Sequence, residues 1–284
     1  MSKYDSLGTR MKLYYENIPK TRLTRREPVI IRIDGKAFHT FTRGFQRPFD
    51  NILIESMQET MKYLCENIQG CKMGYCQSDE ISLLITDYEN INTAAWFDYQ
   101  VQKMCSIAAS MATLAFNRIF KKRVEEAKED YESFAPVIAS IYTSPEKHED
   151  WTKLIEAYCR AQEKGAMFDA RCFSIPKEEV CNYFQWRQND CTRNSIQMVA
   201  QANFSHKQLQ NKSCDELQEM LWQEKNINWN DFEIVKKRGS CCTKTGRHTV
   251  VDMKTGEQKD RLVWEIDTEI PIFTQDRNYI ERFV

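Results

Sequence analysis

Residues 29–34 are apolar and β-branched apart from Arg32 and Asp34 and run into Gly35, a pattern that predicts a buried strand stopped by a glycine. From Asp50 the period changes. Ile52, Leu53, Met57, Met61, Leu64, Cys65 and Ile68 recur at helical spacing behind an aspartate suited to an N-cap. Residues 72–77 and 81–85 then read as two strands around the turn Ser78-Asp79-Glu80. A long helix is expected from near Asn92 through Trp96, Met104, Ile107, Ala108, Met111 and Leu114 to about Phe120. A short strand at 167–175 completes a β-α-β-β-α-β order, which is the α+β, ferredoxin-like palm sheet with helices packed on one face.

Beyond that unit, residues 121–165 are charge-rich and predict helix, with a turn at Ser144-Pro145. Residues 186–203 and 213–224 predict two more helices, the second opened by Ser213 with Glu216 three positions on, a capping box. Residues 247–252 and 262–267 are expected to pair as a hairpin across Lys254-Thr255-Gly256-Glu257. No internal repeat, low-complexity tract or flexible linker interrupts the chain.

The 284 residues, 42% of them hydrophobic, suffice for a full core in one large unit or two closely packed ones. No apolar run is long enough for a transmembrane helix, and the polar start Met1-Ser2-Lys3-Tyr4-Asp5 does not resemble a signal peptide, so a soluble, cytoplasmic protein is expected. Eleven cysteines without paired CxxC motifs, beside four histidines at no ligand spacing, argue for reduced thiols and against zinc. Net charge is −1, yet residues 1–50 hold eleven Lys/Arg against five Asp/Glu, and a second basic run without an acid spans 236–247. Either run alone reads as solvated surface; beside a phosphate-handling site they become candidates for an RNA-backbone footprint, with Arg25, Arg26, Lys236, Lys237 and Arg238 as its contacts.

The chemistry rests on acids. A lone aspartate at a strand end is more often a cap than a ligand, but Asp34 followed by a helix and a hairpin carrying Asp79 and Glu80 can converge carboxylates on divalent cations that hold nucleotide phosphates. Gly35, lacking Cβ, lets the backbone pass close to a metal or phosphate. Adjacent strand residues point to opposite faces, so Asp79 is expected to join Asp34 while Glu80 reaches a metal only from the side or through water. Lys103, with Ser106 beside it, is a candidate triphosphate contact, although spacing alone favours an exposed helical lysine. Arg47 offers a phosphate or base contact, and Asp50 a cap. His39, beside Phe38 and Phe41, reads first as packing and second as a base.

Arg32-Ile33-Asp34-Gly35-Lys36-Ala37-Phe38-His39, Arg47-Pro48-Phe49-Asp50, Ser78-Asp79-Glu80, Phe168-Asp169-Ala170-Arg171 and Trp186-Arg187-Gln188-Asn189-Asp190-Cys191 together resemble the tRNA-His guanylyltransferase family of 3'-to-5' polymerases. The likeness runs from Leu7 to beyond Cys191, and the order and spacing of the motifs are more specific than any one of them. It implies a polymerase-like palm with two Mg2+ ions held by Asp34, the Gly35 carbonyl and Asp79, and a catalytic role for Glu80. It further implies ATP and GTP as substrates, with nucleotide contacts at Lys36, Ala37, Phe38, His39, Arg47, Asp50, Ser78, Lys103 and Ser106. Arg187 joins the expected tRNA contacts, and the usual assembly is a homotetramer. Residues 1–140 would form the catalytic core, with 141–284 completing the palm at about 165–176 and adding a mainly helical region and hairpin for tRNA binding and oligomerisation.

Eukaryotic members follow Trp-Arg-Gln with His-Ile-Asn-Asn-Leu-Tyr-Asn, where this chain has Thr192-Arg193-Asn194-Ser195-Ile196-Gln197-Met198, and Phe49 stands where an Asn usually precedes the Asp. The chain thus looks like the bacterial and archaeal guanylyltransferase-like branch, which repairs 5'-truncated tRNAs by templated addition. Addition of a single G to tRNA-His, nucleotide cyclisation on the same palm, and non-catalytic tRNA binding remain the competing expectations.

Overall fold

The structure, a computed structural model, describes residues 6–141, 145–251 and 258–284. In chain order its elements are α1 (Ser6–Met11), β1 (Val29–Gly35), α2 (Phe38–Phe41), α3 (Asn51–Asn67), β2 (Cys71–Gln77), β3 (Glu80–Ile85), α4 (Val101–Ile141), α5 (Pro145–Lys164) and β4 (Phe168–Ser174). They continue as α6 (Lys177–Asn203), α7 (His206–Leu209), α8 (Cys214–Lys225), α9 (Ile234–Arg238), β5 (Ser240–Val251), β6 (Gln258–Asp267) and α10 (Asn278–Glu281). The expected βαββαβ unit is present: the strands form one antiparallel sheet in the order β4-β1-β3-β2-β5-β6.

Several boundaries depart from expectation. The apolar residues around Trp96 belong to a 3-10 turn, Trp96–Tyr99, in which Phe97, Asp98 and Tyr99 have left-handed φ of 49°, 52° and 53°, so α4 starts only at Val101. Trp96 and Tyr99 are buried there, which is why they mimic helical periodicity. Proline opens α5 at Pro145, where its missing N–H costs nothing; Ser144 lies outside the described residues. Helix α6 begins nine residues before the expected 186, behind Pro176 and with Glu178 and Glu179 in its first turn, where acids favour the N-terminus. Strand β5 begins at Ser240 rather than 247 because its first residues pair with β2, from Met73↔Thr243 to Cys76↔Ser240. The hairpin with β6 is formed, while Lys254-Thr255-Gly256-Glu257 lies outside the described residues.

Helices cover both faces of the sheet, not one. Val29, Ile31 and Ile33 point into a core with Met57 and Met61 of α3 and Met104 and Phe116 of α4. Ile30, alternating with them, faces the other way with Leu84, Met73 and Tyr75, onto Val180, Tyr183 and Phe184 of α6 and Ile280 of α10. A third cluster packs α6 on α8 through Val199, Leu217 and Leu221. All eleven cysteines are free thiols. No helix among the described residues is long and apolar enough to cross a membrane.

Candidate active site

The end of β1 and the β2–β3 turn are fixed to each other by backbone. Asp34 lies opposite Glu80 on one side and Asp169 on the other, and Gly35 N donates to Asp79 O at 3.0 Å. The connection between β2 and β3 is Ser78-Asp79 alone, with Ser78 at φ 48°, so the chain turns tightly enough to bring Asp79 to the end of β1. Glycine is needed at 35 because a Cβ there would stand 2.2 Å from the Phe38 ring. That ring is buried among Phe41, Phe116 and Phe168, so Phe38 carries the loop rather than touching a ligand through free aromatic surface.

Burial, and after it the nearby charge of Asp34, raise the Asp79 carboxyl to about 6, against hydrogen bonds from the Asp79 backbone and the Ser78 side chain that pull it back. Neither acid has an ion-pair partner among the described residues. No group of three or more His, Cys, Asp and Glu placed to hold a metal occurs among those residues. Two carboxylates still suit a hard cation such as magnesium, which takes one or two protein carboxylates and completes its shell with phosphate and water oxygens. Close by, Gln77 Oε1 and Arg32 Nε are buried without a hydrogen-bond partner.

Asp79 lines a cavity of about 550 Å³, and Asp34 meets that wall through its neighbour Gly35. Gly35, Ser78 and Asp79 form one wall; Ala37, Phe38, His39, Thr42, Phe45, Gln46, Arg47, Pro48 and Asp50 form the loop wall; Met198, Gln201 and Ala202 of α6 close it. His39 and Arg47 of that lining are exposed, as is Lys36 next to Gly35, and Ala37 adopts left-handed φ of 54° as the chain enters α2. Asp50 is placed in the cavity wall, where Oδ1 accepts from Leu53 N, and Oδ2 from Gln46 N and from Tyr158 Oη at 2.7 Å. It is the expected cap, and it clamps the loop to α3 and α5. Phe49, the departure noted above, packs its ring on Phe232 at 5.4 Å and anchors the same loop to the C-terminal helices.

Other expected site residues are placed elsewhere. Burial raises the Glu80 pKa, with Arg187 and Arg32 pulling it back, and both Glu80 oxygens bond Arg187. Arg187 is 6% exposed and also binds Asp190, so its guanidinium is committed inside the protein and the expected tRNA-backbone contact is not available to it. Lys103 and Ser106 sit in the first turns of α4, where Cys105 meets Cys172, whereas the Asp34 end of the sheet is reached by Thr113 and Asn117. Ten residues of helix separate Lys103 from Thr113, roughly 15 Å of rise. Lys103 lies over the Phe97 ring, and within this chain it does not join Asp34 and Asp79.

The basic runs are also partly spent. Arg25 bonds Asp87 and Thr93 O beyond the far end of β3, and Arg26 is exposed there with its backbone N–H on Asp87. Lys237 is 8% exposed and donates to Asn230 O, and Lys236 pairs with Glu233 at 2.9 Å. Arg238 is half-buried, with its carbonyl accepting from Tyr75 Oη at 2.8 Å. The run 236–238 is thus the short helix α9 packed on α6. Sequence reasoning missed Met198, Gln201 and Ala202; their i, i+3, i+4 spacing on the helix expected at 186–203 marks one face, but nothing local says that this face meets Asp79.

Comparison with known proteins agrees with this geometry. Residues 8–176 match the family model described as "Thg1: tRNAHis guanylyltransferase". The chain is 42% identical to a bacterial tRNA(His) guanylyltransferase (Thg1)-like protein solved in complex with ATP, with 98% of this chain and 99% of that chain covered at a TM-score of 0.76. A structure of a bacterial Thg1-like protein in complex with GTP is 39% identical at the same coverages, with a TM-score of 0.69. The tRNA(His) guanylyltransferase of Debaryomyces hansenii is 26% identical over 75% of this chain and 71% of its own length.

Proposed function

The chain belongs to the tRNA-His guanylyltransferase family and is a nucleotidyltransferase, and from that premise we propose that it extends the 5' end of tRNA in the 3'-to-5' direction, repairing 5'-truncated acceptor stems under the direction of the opposite strand. The observation that carries this reading is the juxtaposition of Asp79, in the wall of a cavity large enough for a nucleotide, with Asp34 at the end of β1, neither acid having an ion-pair partner among the described residues. The ATP and GTP in the two similar bacterial structures support nucleoside triphosphates as substrates. The altered stretch 192–198 favours repair over obligatory addition of one G.

Two magnesium ions held by Asp34, Asp79 and the Gly35 carbonyl would neutralise the attacking and leaving oxygens. The cavity holds the incoming nucleotide with Lys36 and Arg47 as exposed cations for its phosphates and His39 on the loop wall. Its 3'-oxygen forms a bond to the 5' phosphorus of the tRNA as the hydroxyl proton departs. The bond that breaks releases AMP from an ATP-activated monophosphate end, or pyrophosphate from a triphosphate end. Ser78 shapes the turn that aims Asp79, and Glu80, held by Arg187, supports that turn from behind.

Residues 1–140 supply the acids in this reading, and 141–284 close the cavity through α6. A homotetramer in the cytoplasm is part of the same proposal; the exposed apolar residues Leu13, Tyr14, Tyr15 and Ile18 give the assembly a surface to bury. The test is addition to a tRNA lacking its first 5' nucleotide, with Mg2+, ATP and all four triphosphates, beside full-length tRNA-His. Growth by the base that the 3' strand specifies supports repair. Addition confined to tRNA-His restores the guanylyltransferase reading, and formation of a cyclic nucleotide without RNA overturns both.

A further inference from the structure

A second cavity, of about 480 Å³, lies on the other side of the C-terminal end of α6. Gln201 borders both this cavity and the one beside Asp79, so the two are neighbours across one helix. Its floor is apolar, with Phe204 at 8% and Leu217 at 3% exposure, and its rim is Gln197, His206 and Gln210, all exposed. No carboxylate lines it, and its one cation, Lys212, is paired with Glu216 at 3.2 Å. A triphosphate would need several free cations. An unpaired nucleobase needs an apolar surface and groups that both donate and accept, which is what side-chain amides provide.

We propose that this cavity holds the unpaired 3'-overhang of the RNA strand that templates addition, in the position next to the templating nucleotide. The inference rests on the repair reading above. A 5'-recessed end leaves the opposite strand unpaired on its 3' side; its first free nucleotide pairs with the incoming one, and the next has to leave that position. Gln201 is the residue the two cavities share, and beyond it lies the apolar floor between α6, α7 and α8. The amides receive any base edge without selecting one, as a repair enzyme acting on many acceptor ends requires.

The test uses 5'-monophosphorylated RNA hairpins whose 3' strand overhangs by one or by four nucleotides. The full chain is expected to show a KM for the four-nucleotide overhang about tenfold lower than for the single-nucleotide one, the scale of one stacked base. His206→Ala and Gln197→Ala are each expected to remove that advantage while leaving ATP-dependent activation and addition on the single-nucleotide overhang unchanged. The two lie at the start of α7 and in the last two turns of α6, both exposed, so neither is a core residue. An advantage that persists in both variants, or its absence from the unmodified chain, overturns the proposal. Loss of activation and addition on both hairpins in the unmodified chain overturns instead the repair reading on which it stands.

Discussion

Arg187 grips Glu80 across the sheet with both arms of its guanidinium, Nε to Oε1 at 2.7 Å and Nη2 to Oε2 at 2.8 Å. Glu80 is the first residue of β3 and the neighbour of Asp79, so the pair ties the acid-bearing turn to α6. Truncating one partner leaves a buried charge without compensation, which typically costs about 3–5 kcal/mol. Arg187→Met is therefore expected to lose stability on that scale in urea unfolding, and Arg187→Met combined with Glu80→Gln to recover much of it. A neutral single variant would remove the pair from this structural role.

Asp34→Ala and Asp79→Ala are each expected to reduce nucleotide addition to the assay background while retaining the circular dichroism and melting behaviour of a folded protein. Asp34 lies near the end of β1 and Asp79 in the β2–β3 turn, and neither is in an ion pair among the described residues, so the fold does not depend on their carboxylates. An unchanged rate in either variant would remove that residue from the metal site.

Acid–base linkage at Asp79 gives a pH dependence with a definite sign. Its carboxyl in the folded chain is raised to about 6 by burial and by Asp34, so without metal the fold favours the protonated form. Stability contributed by that form is full below the ordinary carboxylate range and is lost as pH rises through about 6. Asp79→Asn removes this loss and is expected to gain about 1–3 kcal/mol at neutral pH in EDTA, with little difference near pH 3. Denaturation across that range, with and without Mg2+, measures it. The Mg2+ concentration needed for nucleotide addition by the unmodified chain is expected to rise as pH drops below about 6, where protons compete for the metal-free Asp79.

Tyr158 donates to Asp50 at 2.7 Å from the buried face of α5, while Asp50 also accepts from the backbone N–H of Gln46 in the cavity loop and of Leu53 in the first turn of α3. Tyr158→Phe is expected to cost about 0.5–1.5 kcal/mol in thermal or urea unfolding. Because the loop carries Arg47 and Pro48 into the cavity, it should also raise the KM for nucleotide more than it lowers kcat. Equal loss in both parameters would point to a disturbed reaction centre instead.

The sequence by itself determined the elements whose causes are local. Alternation marks β1, the Asp50 cap marks the start of α3, and the Ser213–Glu216 capping box marks α8; each depends on residues within one turn or one strand. The acids at Asp34 and Asp79 were legible for the same reason, since the βαββαβ order alone brings a strand end and a hairpin turn together. Tertiary structure alone decided where α6 goes. Its residues are separated from β3 by a hundred positions, and neither Arg187 nor Gln201 carries a local sign of its partner. Glu80 and Arg187, 107 residues apart, show the limit: the sequence reads one as a catalytic acid and the other as an RNA contact, and only the fold sets the two against each other. Burial, which converts two surface charges into one internal pair, is a property of the packed chain and of no segment within it.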